Sequence, residues 1–253
     1  MVEGIPSKLN FPKDHWTHNT QVEWWYFWGK MSDDRFFHFA SFRSEILKGI
    51  ETRAIHYSLD GKFYEHIYDE TFYFPYSGYT YQRFTFETPQ FGLILYPKTK
   101  PIIHNCTSKG RNYYSIPHLE GEGFLYPRNE KIYASAWFDH EFSDFINVSY
   151  WDWLGIKLDA GVYVTVYKSD VDNICDVSIG NNTISSDFIL EDKHLYIQAI
   201  SAMINLESKQ DEMIFKPKFG FKYSEQPVDI IGKGKKIGYG MRERMYRRDK
   251  NAS

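Results

Sequence analysis

The chain has 253 residues, a formal net charge of −3, 42% hydrophobic residues and 25% charged residues. That length suits one large or two medium domains, and the balance of charge gives no long-range pull toward nucleic acid or an anionic membrane. No run of about 18 apolar residues is present, so no membrane-spanning helix is expected.

Residues 1–11 lack the basic-then-apolar pattern of a signal peptide, and a cytoplasmic protein is expected. Aromatic residues make up 19% of the chain, as 7 Trp, 20 Tyr and 20 Phe. Aromatics favour strands, so the expected class is all-β. Cys106 and Cys175 stand far apart in sequence and form neither a disulfide framework nor a zinc pattern.

Residues 1–20, with Pro6 and Pro12, read as an extended lead-in. The first strand, 22–31, carries Glu23-Trp24-Trp25-Tyr26-Phe27-Trp28. Successive side chains on a strand face opposite sides. Trp24, Tyr26 and Trp28 therefore face one way, and Glu23, Trp25 and Phe27 the other. Both faces must meet apolar matter, and a carboxylate at Glu23 is costly there unless hydrogen-bonded or protonated.

Phe36 to Ile46 follows the turn Ser32-Asp33-Asp34. Ala54 to Leu59 and Lys62 to Asp69 flank Asp60-Gly61, a dipeptide that favours a tight hairpin. Thr80 to Glu87, Gly92 to Tyr96, Leu119 to Leu125 and Ile132 to Phe138 continue the meander. After Ser143 the pattern starts again: Ser149 to Asp159, a glycine turn, then Val162 to Tyr167. This loose likeness to the opening hairpin suggests two β units of one plan, residues 1–143 and 144–253.

Leu195 to Glu207 places Ile197, Ile200, Met203 and Ile204 where either a helical face or a buried strand would put them. Phe215 to Tyr223 alternates like a strand. Ile237 to Met241 reads as a closing strand, with Gly238 and Gly240 where backbones approach.

The densest polar group in apolar sequence is Asp139-His140-Glu141, between Trp137, Phe138 and Phe142. On a strand Asp139 and Glu141 share a face and His140 opposes them; at a strand end or a bulge all three converge. An Asp–His pair suits acid–base work, because the carboxylate fixes the imidazole tautomer. A carboxyl held among aromatic rings keeps its proton at neutral pH and can donate it. The plain alternative is a polar corner that caps backbone groups.

His15 and His18 precede Glu23, and two histidines with a carboxylate can ligate zinc or iron. They sit in a loop at no diagnostic spacing, and no metal is expected. Trp151-Asp152-Trp153 repeats the motif of an acid between indoles, and Tyr113-Tyr114 adds two phenols. Such rings either fill a core or line a pocket and stabilise a cation.

Five motifs, in order, carry a resemblance. They are Glu23-Trp-Trp-Tyr-Phe27, Tyr113-Tyr-Ser-Ile-Pro117, Ala136-Trp-Phe-Asp-His-Glu-Phe142, Trp151-Asp-Trp-Leu154 and Gly238-Tyr239-Gly240. Over about residues 15–243 the chain resembles the carotenoid 1,2-hydratase/AttH-like lipocalin superfamily. The resemblance implies two lipocalin-like β-barrel or sandwich units packed together, few short helices, an apolar ligand site at or near their junction, and no cofactor. It matches Asp139 and His140 to the Asp-His of the family motif. Glu141 and Phe142 depart from the Asn-Trp of carotenoid hydratases and look more like the AttH branch. Tyr167 falls near a family Tyr-x-Asp pair whose acid is absent or displaced here.

The expected activity is therefore acid-initiated hydration or cyclisation of an apolar unsaturated terpenoid or polyketide. Asp139 serves as proton donor or its partner, His140 as orienter or base, and Glu23 completes the catalytic set. Trp25, Tyr114, Glu141, Trp151, Trp153 and Tyr167 are expected to contact substrate. A Diels-Alderase-like pericyclase and a non-catalytic lipid or pigment carrier are the alternatives. The partners expected are an apolar small molecule and at most a second copy of the chain, with no nucleic acid.

Overall fold

The alternating aromatics of residues 22–31 form a strand with both faces covered. Phe27 and Trp28 point to opposite sides and each is fully buried. The structure, a computed structural model, describes residues 9, 11, 13–15, 18–47, 50–68, 83–106, 111–143, 150–215 and 221–247. It is all-β, in two barrel-like units built on strongly curled sheets. One unit comprises Met1–Asn105 with Lys109–Ile146, and the other Cys106–Ser108 with Asn147–Ser253.

The strands of the first unit are β1 (Val22–Met31), β2 (Phe36–Leu47), β3 (Ile50–Leu59), β4 (Lys62–Tyr68), β5 (Phe84–Glu87), β6 (Phe91–Pro97), β7 (Ile102–Ile103), β8 (Arg111–Leu125) and β9 (Glu130–Ser143). They form one sheet in the order β4-β3-β2-β1-β9-β8-β6-β5, with β7 paired to β8. The expected hairpin at Asp60-Gly61 joins β3 to β4. Both residues have positive φ, 50° and 77°, the conformation that a two-residue turn of this kind needs. Gly29 lies where β1 meets β9 closely, since a Cβ there would stand 2.3 Å from the carbonyl oxygen of Ser135.

The interior of the first unit is aromatic. Trp25 and Phe27 of β1, Phe37 and Phe39 of β2, Phe84 and Phe86 of β5, and Phe138 and Phe142 of β9 belong to one buried cluster. The opposite face of the sheet is also buried but more polar. It carries Trp28 and Trp137, stacked at 5.8 Å, with His38, Ser115, Asp139 and Glu141.

The second unit contains β10 (Tyr150–Leu158), β11 (Val162–Ser169), β12 (Asn173–Ile179), β13 (Asn182–Ser185), β14 (Phe188–Leu190), β15 (His194–Ile197), β16 (Ala202–Ser208), β17 (Met213–Phe215), β18 (Phe221–Gly232) and β19 (Lys235–Arg247). Their order is β13-β12-β11-β10-β19-β18-β16-β15-β14, with β17 on β18. In both units the opening strand lies between its hairpin partner and the last strand, as a repeated plan requires. The core of the second unit is aliphatic, from Leu154, Ile156, Val164, Val166 and Ile230 among others.

Two expectations change. Leu195 to Glu207 is neither one helix nor one strand. A 3-10 turn at Gln198–Ile200 and Ser201, at φ 46°, reverses the chain, so Leu195 pairs with Ile204 across β15 and β16. Met203, counted there as apolar, is 61% exposed. Phe215 to Tyr223 is not continuous either, because Phe215 pairs with Tyr223 across β17 and β18. Residues 216–220, like residues 80–82 of the expected strand at 80–87, lie outside the described residues.

Candidate active site

Three central strands set the geometry. Across β8, β9 and β1 the register aligns Tyr113, Glu141 and Trp24; then Tyr114, His140 and Trp25; then Ser115, Asp139 and Tyr26. The pairing is unbroken here, and its only shift against β8 falls between Ile116 and Leu119. With no bulge at Asp139-His140-Glu141, the strand sends Asp139 and Glu141 to one face and His140 to the other. The expected Asp139–His140 pair is not formed, and His140 does not orient Asp139.

On the polar face Asp139 is buried and its Oδ1 accepts two hydroxyls, from Ser115 and from Tyr113 at 3.0 Å. Nε2 of His104 lies 2.8 Å from the Ser115 oxygen. The two-residue strand β7 delivers His104: Ile102 pairs with Ser115, and the His104 amide donates to the carbonyl of Tyr113 at 3.0 Å. The His104 ring then lies 4.2 Å from that of Tyr113. Burial pushes the Asp139 carboxyl up to about 7, against the hydrogen bonds of Ser115, Trp137 and Tyr113, with nearby Glu141 adding to the rise. Asp139 thus stays protonated well above the ordinary carboxylate range and gives up its proton only near neutrality.

Glu141 shares that face but is committed. Arg111 grips it in a bidentate pair, Nε to Oε1 at 2.8 Å and Nη2 to Oε2 at 2.7 Å, with the side chains 5% and 3% exposed. A buried fork of this geometry is a strong ion pair.

On the interior face Glu23 is fully buried and heavily bonded. Its Oε1 lies 2.9 Å from Nε2 of His140 and 2.8 Å from Nδ1 of His18. Its Oε2 accepts the His18 amide at 3.0 Å and faces Arg43 at 3.4 Å. Burial raises the Glu23 carboxyl, but the bonds from His140 and His18 outweigh it and hold the group below its ordinary value. Burial lowers His140, and the Glu23 bond only partly offsets that. His18 is also disfavoured by burial, yet Glu23 and Asp14 raise it.

The same network holds the segment before β1. The Trp25 indole donates to the carbonyl of His15 at 3.0 Å, and the Tyr114 hydroxyl to that of Asp14 at 3.1 Å. Nδ1 of His15 lies 2.5 Å from the Tyr114 oxygen, and the His18 ring stacks on Phe142 at 3.5 Å. Burial, helped by His140, lowers His15 to about 4. His18, Glu23 and His140 offer three ligand atoms within 4.8 Å of one another, by type a possible divalent-metal set. Their mutual hydrogen bonds satisfy these atoms, and no ligand role is assigned to them.

Trp25 and Tyr114, expected to line the substrate site, are buried on this interior face and so lie on the other side of the sheet from Asp139. In the second unit Trp153 sits directly across from Tyr167, and both are buried. Trp151 stacks on Tyr167 at 6.3 Å and meets Tyr223 edge-on at 5.7 Å. Asp152 is held by Arg242, Oδ1 to Nε at 2.9 Å. The structure brings Trp151, Trp153 and Tyr167 together within that unit.

The residues that sequence reasoning missed are His104, Ser115, Tyr26 and Trp137, all on the face of Asp139. Period-two alternation already put Trp137 with Asp139. Nothing local put His104 there, because a register between distant strands is required.

No family model matches the chain, and no curated protein matches it in sequence. Solved structures do match. A Nitrosomonas europaea protein described as a putative AttH is 19% identical, with a TM-score of 0.74 over 96% of this chain and 99% of that one. Kievitone hydratase from Nectria haematococca is 10% identical, with a TM-score of 0.66 over 90% of both chains. CghA, solved with Sch210972, is 10% identical, with a TM-score of 0.52 over 90% of this chain and 88% of that one. The chain therefore shares its fold with these proteins, as the sequence resemblance implied.

Proposed function

We propose that this protein is a cofactor-independent hydratase or cyclase of an apolar unsaturated small molecule, with Asp139 as the proton donor. The observation that carries the reading is the Asp139 carboxyl, buried on a face with Tyr26, Trp28 and Trp137 and pushed up to about 7. Such an acid is still partly protonated at neutral pH and can serve as a general acid there. That a hydratase of kievitone has the same fold adds support.

In the proposed step the alkene π electrons take the Asp139 proton and form a C–H bond, leaving a cation on the neighbouring carbon. Water adds to the cation and loses a proton, giving the alcohol. In the cyclising version a second alkene attacks instead, and the proton is lost from carbon. In each case one proton returns for the one spent. The indoles and phenol on this face stabilise the cation by about 0.5–2 kcal/mol each through their π faces.

The test is Asp139→Asn, which keeps the acceptor for Ser115 and Tyr113 but has no proton to give. Wild type is incubated with a panel of isoprenoid and polyketide polyenes and read by mass spectrometry. A gain of one water marks hydration, and a new retention time at unchanged mass marks cyclisation. The variant is expected to lose at least about 100-fold in rate, the usual scale of acid catalysis. Unchanged turnover sinks the reading.

A second reading, a pericyclase that only holds a polyene in a reactive shape, is favoured by the shared fold of CghA with its bound Sch210972. It predicts turnover that survives Asp139→Asn. Native mass spectrometry separates both from a carrier, which would bring along a stoichiometric, unaltered lipid.

A further inference from the structure

We propose that His104 and Ser115 form a proton relay to Asp139, with His104 storing the proton that reloads the acid. The inference rests on the acid role proposed above for Asp139. It is carried by two contacts that share one hydroxyl, the Ser115 oxygen lying 2.8 Å from His104 Nε2 and bonded to Asp139 Oδ1.

A serine hydroxyl has one hydrogen to give and lone pairs to receive. Between an imidazole nitrogen and a carboxyl oxygen it allows two orders. In one, Nε2–H of an imidazolium donates to Ser115 and Ser115 donates to a carboxylate. In the other, the carboxylic acid donates to Ser115 and Ser115 donates to the bare Nε2 of a neutral imidazole. Passing from the first to the second breaks the Nε2–H bond and forms an O–H bond on Ser115. The original Ser115 O–H bond breaks and an O–H bond forms on Oδ1. The serine is regenerated and one proton has moved from His104 to Asp139. Hydration releases one proton for each one it consumes, so reloading needs no other co-reactant.

The surroundings suit a shared proton. Both ends and the serine between them are buried. Tyr113 fixes the two ends at once, its ring against His104 and its hydroxyl 3.0 Å from Oδ1. Further ionisable groups lie near this relay among the described residues. Glu141 is neutralised by Arg111, Tyr26 lies across from Asp139 on β1, and His38 stacks on Tyr26 at 6.0 Å while its ring nitrogens meet Ser58 and, at 3.2 Å, His56. His104 and Ser115 do not touch the reacting carbon in this scheme; they act through Asp139.

The test is an NMR titration of the full-length chain, with carboxyl-labelled Asp and ring-labelled His, from pH 5 to 9. In wild type the Asp139 carboxyl and His104 Nε2 signals are expected to move together through one common step. His104→Gln keeps an N–H for Ser115 but cannot carry a proton. It is expected to shift the Asp139 step upward by about one pH unit, the scale of coupled sites. Ser115→Ala is expected to split the common step in two. The proposal is overturned if His104 Nε2 stays silent while Asp139 titrates, as it would with the proton on Oδ2. It is also overturned if the midpoints ignore both substitutions. The wild-type measurement alone decides the first point should a variant fail to fold. Retained turnover in Asp139→Asn, together with the common step in wild type, would sink the acid role and leave the proton coupling standing, so the two failures are distinct.

Discussion

Glu23 and His140, 117 residues apart in sequence, meet at 2.9 Å between Oε1 and Nε2 inside the first unit. The contact follows from β1 pairing with β9, which sets Trp25 opposite His140 and leaves Glu23 one place away on the same face. It gives the one acid of the aromatic run a partner and draws the preceding segment onto the sheet through His18.

Glu23→Gln tests how much that contact contributes. Removing the charge leaves the raised His18 and Arg43 facing a neutral amide inside the protein. Loss of one partner from a buried ionic network costs about 3–5 kcal/mol. Denaturant unfolding at pH 7 is expected to show a loss of that order. A change under 1 kcal/mol would mean the network is incidental.

Asp139 makes stability depend on pH near neutrality. Its folded value, about 7, lies above its ordinary 3.8, so the native state holds an extra proton between these values. The stabilisation is complete below about pH 4 and is lost as pH rises through 7. Asp139→Asn is expected to abolish this slope, so the variant gains on wild type by a few kcal/mol between pH 5 and 8. Parallel thermal unfolding curves for the two proteins over that range would refute the assignment.

His15 acts in the opposite sense. Its folded value of about 4 lies below 6.5, so the native state favours the neutral ring. That stabilisation is full above 6.5 and fades as pH falls toward 4. His15 faces His140, Asp14 and Tyr114, and holds the segment whose His18 amide bonds Glu23. Hydrogen exchange at the His18 amide, corrected for its intrinsic pH dependence, is expected to accelerate relative to core amides as pH drops from 6.5 to 4. Constant relative protection over that range would count against it.

Arg111 and Glu141 allow a paired experiment. Arg111→Leu alone strands a buried carboxylate and is expected to cost about 3–5 kcal/mol. Adding Glu141→Leu removes the stranded charge and is expected to recover most of the loss. A double variant as unstable as the single one would show that packing, not charge, sets the cost.

Much of the first unit was legible from local pattern. The two faces of residues 23–28, the Asp60-Gly61 hairpin and the aromatic core all follow from period-two alternation and turn chemistry. Misreadings arose where a short apolar run fits two structures, as at 195–207, or where a turn hides inside an alternation, as at 215–223. At the candidate site the alternation already separated Asp139 from His140, and only a strand end or a bulge could have reunited them.

The sequence by itself determined the class, the split of β1 into two faces and the candidacy of Asp139, because each depends on neighbours within a few residues; the two β units it suggested only through a loose likeness and a resemblance. Only the tertiary structure decided the partners: His104 and Ser115 for Asp139, Arg111 for Glu141, and His18 with His140 for Glu23. Those pairings depend on strand register, which is set by how whole faces pack, and a shift of one residue would send every one of these side chains to the other side of the sheet.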